Sequence, residues 1–213
     1  MGFVGVQVAA VVAAAAGLDL ESTAVLFCLA IPMQYVAIVA GAVAVSRVKG
    51  LGSLAADFGL RIRRADWPAL VMGCALQIVA LVLLAPIFRV AALKHEPQQL
   101  VERTKQVHSL PLIVVIVLAT AIGAPVVEEL IFRGMLLRGL LRRTSDAWAV
   151  VISALLFAAA HLLDLGAGYV FPALFGLGLV LGVLAIRDRS LSRPILIHGG
   201  FNLLATVLTL IHV

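Results

Sequence analysis

The run PLIVVIVLATAIGAPVVEELIFRGML, residues 111–136, decides the fold. Everything from Pro111 to Val127 is uncharged, and about 20 mostly apolar residues in a helix span a bilayer core. Then Glu128, Glu129 and Arg133 break the pattern inside the same run. Each such charge at a helix centre opposes insertion by about 2.5–3.5 kcal/mol. The stretch therefore reads as a transmembrane helix that carries a functional polar group.

Composition extends this reading to the whole chain. Hydrophobic residues make up 63% of the 213 residues and charged residues 13%, with mean hydropathy +1.15. A soluble domain carries roughly 25% charged residues. Apolar runs at 3–18, 23–45, 67–88, 111–136, 147–163, 169–186 and 194–212 predict an all-α, polytopic bundle of about seven transmembrane helices. Residues 1–110 read as N-terminal helices with interfacial loops and residues 111–213 as the polar core, within one integral membrane domain.

The net charge of +5 does not point to nucleic acid. The basic residues sit in short clusters between apolar runs, with almost no aromatic residues beside them. Loop 46–66 holds Arg47, Lys49, Arg61, Arg63 and Arg64; loop 137–146 holds Arg138, Arg142 and Arg143; loop 187–193 holds Arg187, Arg189 and Arg193. The opposite loops carry Arg89, Lys94, Arg103 and Lys105 among Asp19, Glu21, Glu96, Glu102 and Asp164. The positive-inside rule thus places the first three loops in the cytoplasm, the N-terminus inside and the C-terminus outside. The partner expected from this charge is the lipid bilayer. Arginine-rich, lysine-poor composition points to a prokaryotic plasma membrane.

Several features have plain readings. Leu54, Phe58, Leu60 and Ile62 give loop 46–66 an amphipathic, interfacial character. Loop 89–110 reads as a surface segment with His95 and His108 facing solvent. Cys28 and Cys74 lack metal-ligand spacing and read as small core hydrophobes. Gly178 and Gly182 fit close helix packing.

Two further spans carry polar groups: Phe157-Ala158-Ala159-Ala160-His161 and His198-Gly199-Gly200-Phe201-Asn202. Glu129 and Arg133 are i and i+4 and can pair on one helix face. Glu128, about 100° away, is left for another neighbour. His198 and Asn202 share a face by the same spacing. Taken singly, the ion pair is structural and either histidine is a satisfied core residue. Their concentration in one half of the chain favours a shared site. Straight helices would place His161, Glu128 and His198 at different depths, since His161 lies about 22 Å from the basic end of its span.

At these residues the chain resembles the CAAX protease and bacteriocin-processing family of intramembrane endopeptidases, which includes the Ras-converting CAAX endopeptidases. The family pattern is Glu-Glu-x-x-x-Arg, Phe-x-x-x-His and His-x-x-x-Asn, here Glu128-Glu129-x-x-x-Arg133, Phe157-x-x-x-His161 and His198-x-x-x-Asn202. The resemblance covers about residues 111–213. It implies peptide-bond hydrolysis near the membrane, with a membrane-associated or lipid-anchored peptide or protein as substrate. By motif position, Glu128 and His161 activate the attacking water. His198 and Asn202 bind the oxyanion, Glu129 and Arg133 position the first motif, and Phe157 packs the site.

No cofactor is favoured. Zinc on Glu128, His161 and His198 is the alternative, since two imidazoles and a carboxylate with an open position make a recognised catalytic set. Against it stand the lack of His-Glu-x-x-His and of a carboxylate free to orient both imidazoles. A serine or aspartyl site has no motif here. The rival functional reading is a non-catalytic peptide-binding or immunity protein using the same pocket, and a third is a small proton-coupled transporter.

Overall fold

A computed structural model describes residues 12–19, 22–92, 99–163 and 170–211. Among these the regular structure is all helical, with no strand. We number the principal helices α1 (Thr23–Lys49), α2 (Leu54–Phe58), α3 (Pro68–Ala92), α4 (Gln99–Lys105), α5 (Leu110–Leu140), α6 (Asp146–Ala160), α7 (Phe171–Asp188) and α8 (Ser192–Leu210). Prolines in the first turns of α5 and α7, and Pro68 opening α3, stand where a helix has no use for the missing N–H.

Among the described residues five helices are long and apolar enough to cross a membrane: α1, α3 with the turn before it, α5, α7 and α8. The expected span at 147–163 is the shorter α6, of 15 residues, followed by a 3-10 turn at His161–Leu163. The expected first span falls mostly outside the described residues. Val36, Val71, Val82, Leu83 and Leu118 are exposed along the spans, as expected where the solvent is lipid. α8 is the central helix: 44% of its most apolar window is buried, against 11% for α1.

Packing at the centre depends on missing side chains. A Cβ on Gly73 of α3 would run into the Ile197 carbonyl of α8, and one on Gly200 would run into the Leu70 carbonyl. The two backbones are therefore in contact, and the Cys74 Sγ–H donates across the same seam to the Gly200 carbonyl at 3.3 Å. Gly178 and Gly182 of α7 lie against Ala154 and Val150 of α6, as their spacing suggested.

Three expectations are corrected. The 46–66 segment does not simply lie on the membrane surface. Its short helix α2 turns Phe58 into the bundle against Ala42 and Leu130, because α1 and α5 leave an apolar notch there. Ile62 alone of its apolar set is largely exposed, at 54%. Cys28 is exposed on α1 rather than in the core. The 89–110 segment contains α4, whose Thr104 is buried; His108 is exposed and His95 lies outside the described residues.

α2 is held by local polar bonds. The Ser53 hydroxyl caps its N-terminus, and Gly59 closes it in the left-handed conformation at φ 75°. Asp57 accepts from the Ser46 hydroxyl and from the Leu51 N–H at 2.9 Å. These bonds, Ser46 first, hold the Asp57 carboxyl below its usual range.

Two outcomes follow. Gly200→Ala should destabilise the protein by about 1–3 kcal/mol through overpacking. Gly176→Ala in α7, where a Cβ meets open space, should stabilise by about 0.5–1 kcal/mol; thermal unfolding in detergent reads both. The Asp57 contribution is present above about pH 4, the unfolded carboxyl value, and is lost as pH falls through the lowered folded value. Asp57→Asn should therefore flatten the acid limb of the melting temperature between about pH 5 and 2, while leaving its neutral-pH slope unchanged.

Candidate active site

The site is built where α5 departs from α-helical geometry. Residues Ala119–Gly123 and Leu130–Leu137 are π-helical, on either side of an α-helical turn at Ala124–Glu129. In the first bulge the Ala124 N–H reaches back five residues to the Ala119 carbonyl. In that register the next donor, for the Thr120 carbonyl, would come from Pro125, which has no N–H. The Asn202 carboxamide of α8 supplies it, its Nδ2 donating at 3.0 Å. Neighbouring groups are served in the same way. The Tyr35 hydroxyl of α1 donates to the Ala119 carbonyl at 3.2 Å, and Gly199 lets α8 run beside the Ala121 carbonyl. Thr120 and Thr206 hydroxyls pair at 3.0 Å across the same interface.

One turn later the chain reaches its two carboxylates, which part company. Glu129 is fully buried and binds Arg133 at 2.8 Å, so the expected pair forms even though the helix widens just beyond it. The same Glu129 Oε1 accepts from His198 Nδ1 at 3.0 Å. Arg133 also donates to the Gly178 carbonyl of α7 at 3.2 Å, and its guanidinium lies 4.5 Å from the centre of the Phe157 ring. Glu129, Arg133 and His198 thus join α5, α7 and α8 around one buried charge pair.

Glu128 points elsewhere. Its Oε2 lies 3.7 Å from His198 Nε2 and 3.9 Å from His161 Nε2, and it has no direct hydrogen-bond partner. Both separations exceed a direct bond, and Oε2 itself is buried. The Glu128 side chain is 26% exposed and that of His161 34%, against 2% for His198, so the cluster has one open side.

Each imidazole is fixed from behind. His161 Nδ1 is 2.9 Å from the Phe157 carbonyl, which can only accept, so the proton resides on Nδ1 and Nε2 faces Glu128. His198 Nδ1 faces the Glu129 carboxylate and likewise turns Nε2 to the site. Phe157, fully buried, makes edge contacts with His161 at 5.0 Å and His198 at 5.5 Å between ring centroids. Phe132 closes the other side of that ring at 5.3 Å.

The structure thus brings together Glu128, His161 and His198 despite their different depths along their helices. Glu129, Arg133 and Phe157 lie directly behind them. Asn202 is one helix turn away and spends its described bond on the Thr120 carbonyl. Sequence reasoning missed Tyr35, which lies within electrostatic reach of Glu128, and Ser153, whose buried hydroxyl donates to the Phe132 carbonyl at 3.0 Å. Neither has a local signal, because each acts on a backbone carbonyl of another helix.

No single carboxylate orients both imidazoles: Glu129 holds His198 Nδ1, whereas the Phe157 carbonyl holds His161 Nδ1. Glu128 Oε2, His161 Nε2 and His198 Nε2 are the donors that a zinc ion would use, and among the described residues they are not grouped as a formed metal site.

Residues 110–204 match the family model described as Type II CAAX prenyl endopeptidase Rce1-like. Among curated proteins nothing matches significantly, and the same holds among solved structures.

The buried pair gives a thermodynamic test. Arg133→Ala strands the Glu129 carboxylate and should cost about 3–5 kcal/mol. Glu129→Leu combined with Arg133→Met removes both charges and should cost clearly less than the sum of the single changes. Unfolding in a denaturing detergent, run as a double-mutant cycle, checks this.

Proposed function

We propose, from the match of residues 110–204 to the Type II CAAX prenyl endopeptidase family model, that this integral membrane protein hydrolyses peptide bonds at the Glu128–His161–His198 cluster. The family is one of membrane proteases acting on membrane-associated substrates. The observation that carries the assignment to these residues is the placement of Glu128 Oε2 within 3.7 and 3.9 Å of two imidazole Nε2 atoms. A water in that gap is within hydrogen-bond reach of all three.

In this reading Glu128 takes a proton from the water as its oxygen attacks the scissile carbonyl carbon, with His161 Nε2 orienting the water. The tetrahedral oxyanion is met by His198 in its protonated form, whose Nδ1–H stays on Glu129 while Nε2–H donates forward. Asn202 retains a second N–H beyond the one given to Thr120 and serves as a further donor. The C–N bond then breaks, and the proton held by Glu128 passes to the departing amine. Every step uses side chains of this chain, so chelators should leave cleavage intact.

Glu129 and Arg133 act as positioning residues, since neither faces the gap. Phe157 walls both imidazoles against lipid and water alike. A lipid-anchored or membrane-embedded peptide in an extended conformation suits the open side, and the arginine-rich composition suits a prokaryotic plasma membrane. The same pocket without turnover would be a peptide-binding or immunity protein, and cleavage separates the two.

Purified protein in detergent, offered a library of membrane-associated peptides, should cleave with wild-type Glu128. Glu128→Gln should lose about 10²–10⁴-fold in kcat/KM with binding retained. Undiminished cleavage by Glu128→Gln would remove the assignment.

A further inference from the structure

A second site lies away from the Glu–His cluster, at the basic end of the bundle. A cavity of about 610 Å³ opens between α2, the end of α5 and the end of α7, lined by Arg61, Arg138, Arg189, Arg133, Leu137 and Asp146 among others. Arg133 forms its floor and is neutralised by Glu129. Arg61, Arg138 and Arg189 then line an open-mouthed space with the single carboxylate of Asp146, and Asp57 lies within electrostatic reach of Arg138, which still leaves positive charge in excess. Glu128, His161 and His198 do not line it.

The walls are tied together. The Leu191 N–H donates to the Gly59 carbonyl at 2.9 Å, the Arg63 N–H to the Ser192 hydroxyl at 2.9 Å, and Arg138 to the Asp57 carbonyl at 3.0 Å. The three arginines thus sit on elements held in fixed relation.

Arg189 carries a further signal. It is the one non-glycine residue with positive φ among the described residues, at 49°, directly after α7. Glycine is the usual occupant of that position. An L-residue there is strained, and strain of this kind persists where the side chain has a task. Here the Arg189 side chain lines the cavity.

The surroundings state the depth. Leu51, Ile62 and Trp67, exposed at 81%, 54% and 54%, lie along the segment that forms the cavity's rim. Apolar side chains and a tryptophan projecting beside arginines mark the headgroup level of a bilayer. We propose that this cavity binds the phosphate of an anionic phospholipid from the leaflet that the basic loops face, with Arg61, Arg138 and Arg189 as its ligands. Forked guanidinium donors suit phosphate oxygens in pairs, and basic pockets between spans on this side of a membrane favour such headgroups.

The test uses the full chain in phosphatidylcholine nanodiscs, titrated with phosphatidylglycerol, with lipid binding read by native mass spectrometry and stability by melting temperature. Phosphatidylglycerol should bind and raise the melting temperature. Arg61→Gln and Arg189→Gly should each weaken binding about five-fold, whereas Arg142→Gln with Arg143→Gln, exposed on the same side but outside the cavity, should leave it unchanged. Arg189→Gly should at the same time raise the melting temperature without anionic lipid, because glycine relieves the strained φ; a folding defect cannot mimic that pairing. Equal loss in the Arg142/Arg143 variant, or unchanged binding in Arg189→Gly, would overturn the cavity in favour of diffuse surface charge. Inorganic phosphate at millimolar concentration stabilising as strongly as the lipid would overturn the lipid as the source of the phosphate.

Discussion

A guanidinium and a carboxylate sealed away from water have to find each other, and the interior of this bundle is organised around that requirement. Arg133 and Glu129 are both fully buried and 2.8 Å apart. The pair alone would leave donors and lone pairs unserved in a medium that offers no water. The Gly178 carbonyl, the Phe157 ring and His198 Nδ1 take up part of that demand. Each comes from a different helix, so satisfying one ion pair fixes the relation of α5, α6, α7 and α8. The orientation of His198 is a by-product of the same solution.

The second organising feature is the irregularity of α5. A π-helical turn ahead of Pro125 leaves the Thr120 carbonyl without a backbone donor, and Asn202 fills the role. Three residues beyond Pro125 comes Glu128. The break and its repair therefore set the angle at which the last turn delivers two adjacent carboxylates, one inward to Arg133 and one toward the open side. Bulges of this type recur at functional positions in helices because they re-aim side chains without ending the helix. Here the same α8 that carries His198 also stabilises the bulge, which couples the two halves of the site mechanically.

Much of this was legible in the residues. Apolar run length identified the membrane helices, and the Glu129–Arg133 and Phe157–His161 relations followed from helical spacing. The separation of Glu128 from Glu129 followed from rotation per residue. What could not be read were bonds between side chains and distant backbone. Thr120 gives no sign in the sequence that its carbonyl is orphaned, since that depends on the π register. Nor does Phe58 reveal that a notch between α1 and α5 awaits it. Cys28 is as apolar as its neighbours, and in lipid an apolar residue gains nothing by facing inward, so burial cannot be inferred from hydropathy as it can in water. The orientation of His198 by Glu129 is illegible for a related reason: it joins α5 to α8, and spacing within one helix says nothing of contacts between helices.

The shortness of α6 has a further consequence. Its 15 residues rise about 22 Å, some way below the hydrocarbon thickness of about 30 Å, and His161 follows immediately at its C-terminal end. A bilayer meets an undersized helix by thinning around it. Such thinning would bring lipid headgroups and their hydration closer to the end of α6 that carries His161. On that argument the thickness of the host bilayer would set how near its hydrated surface lies to the imidazole.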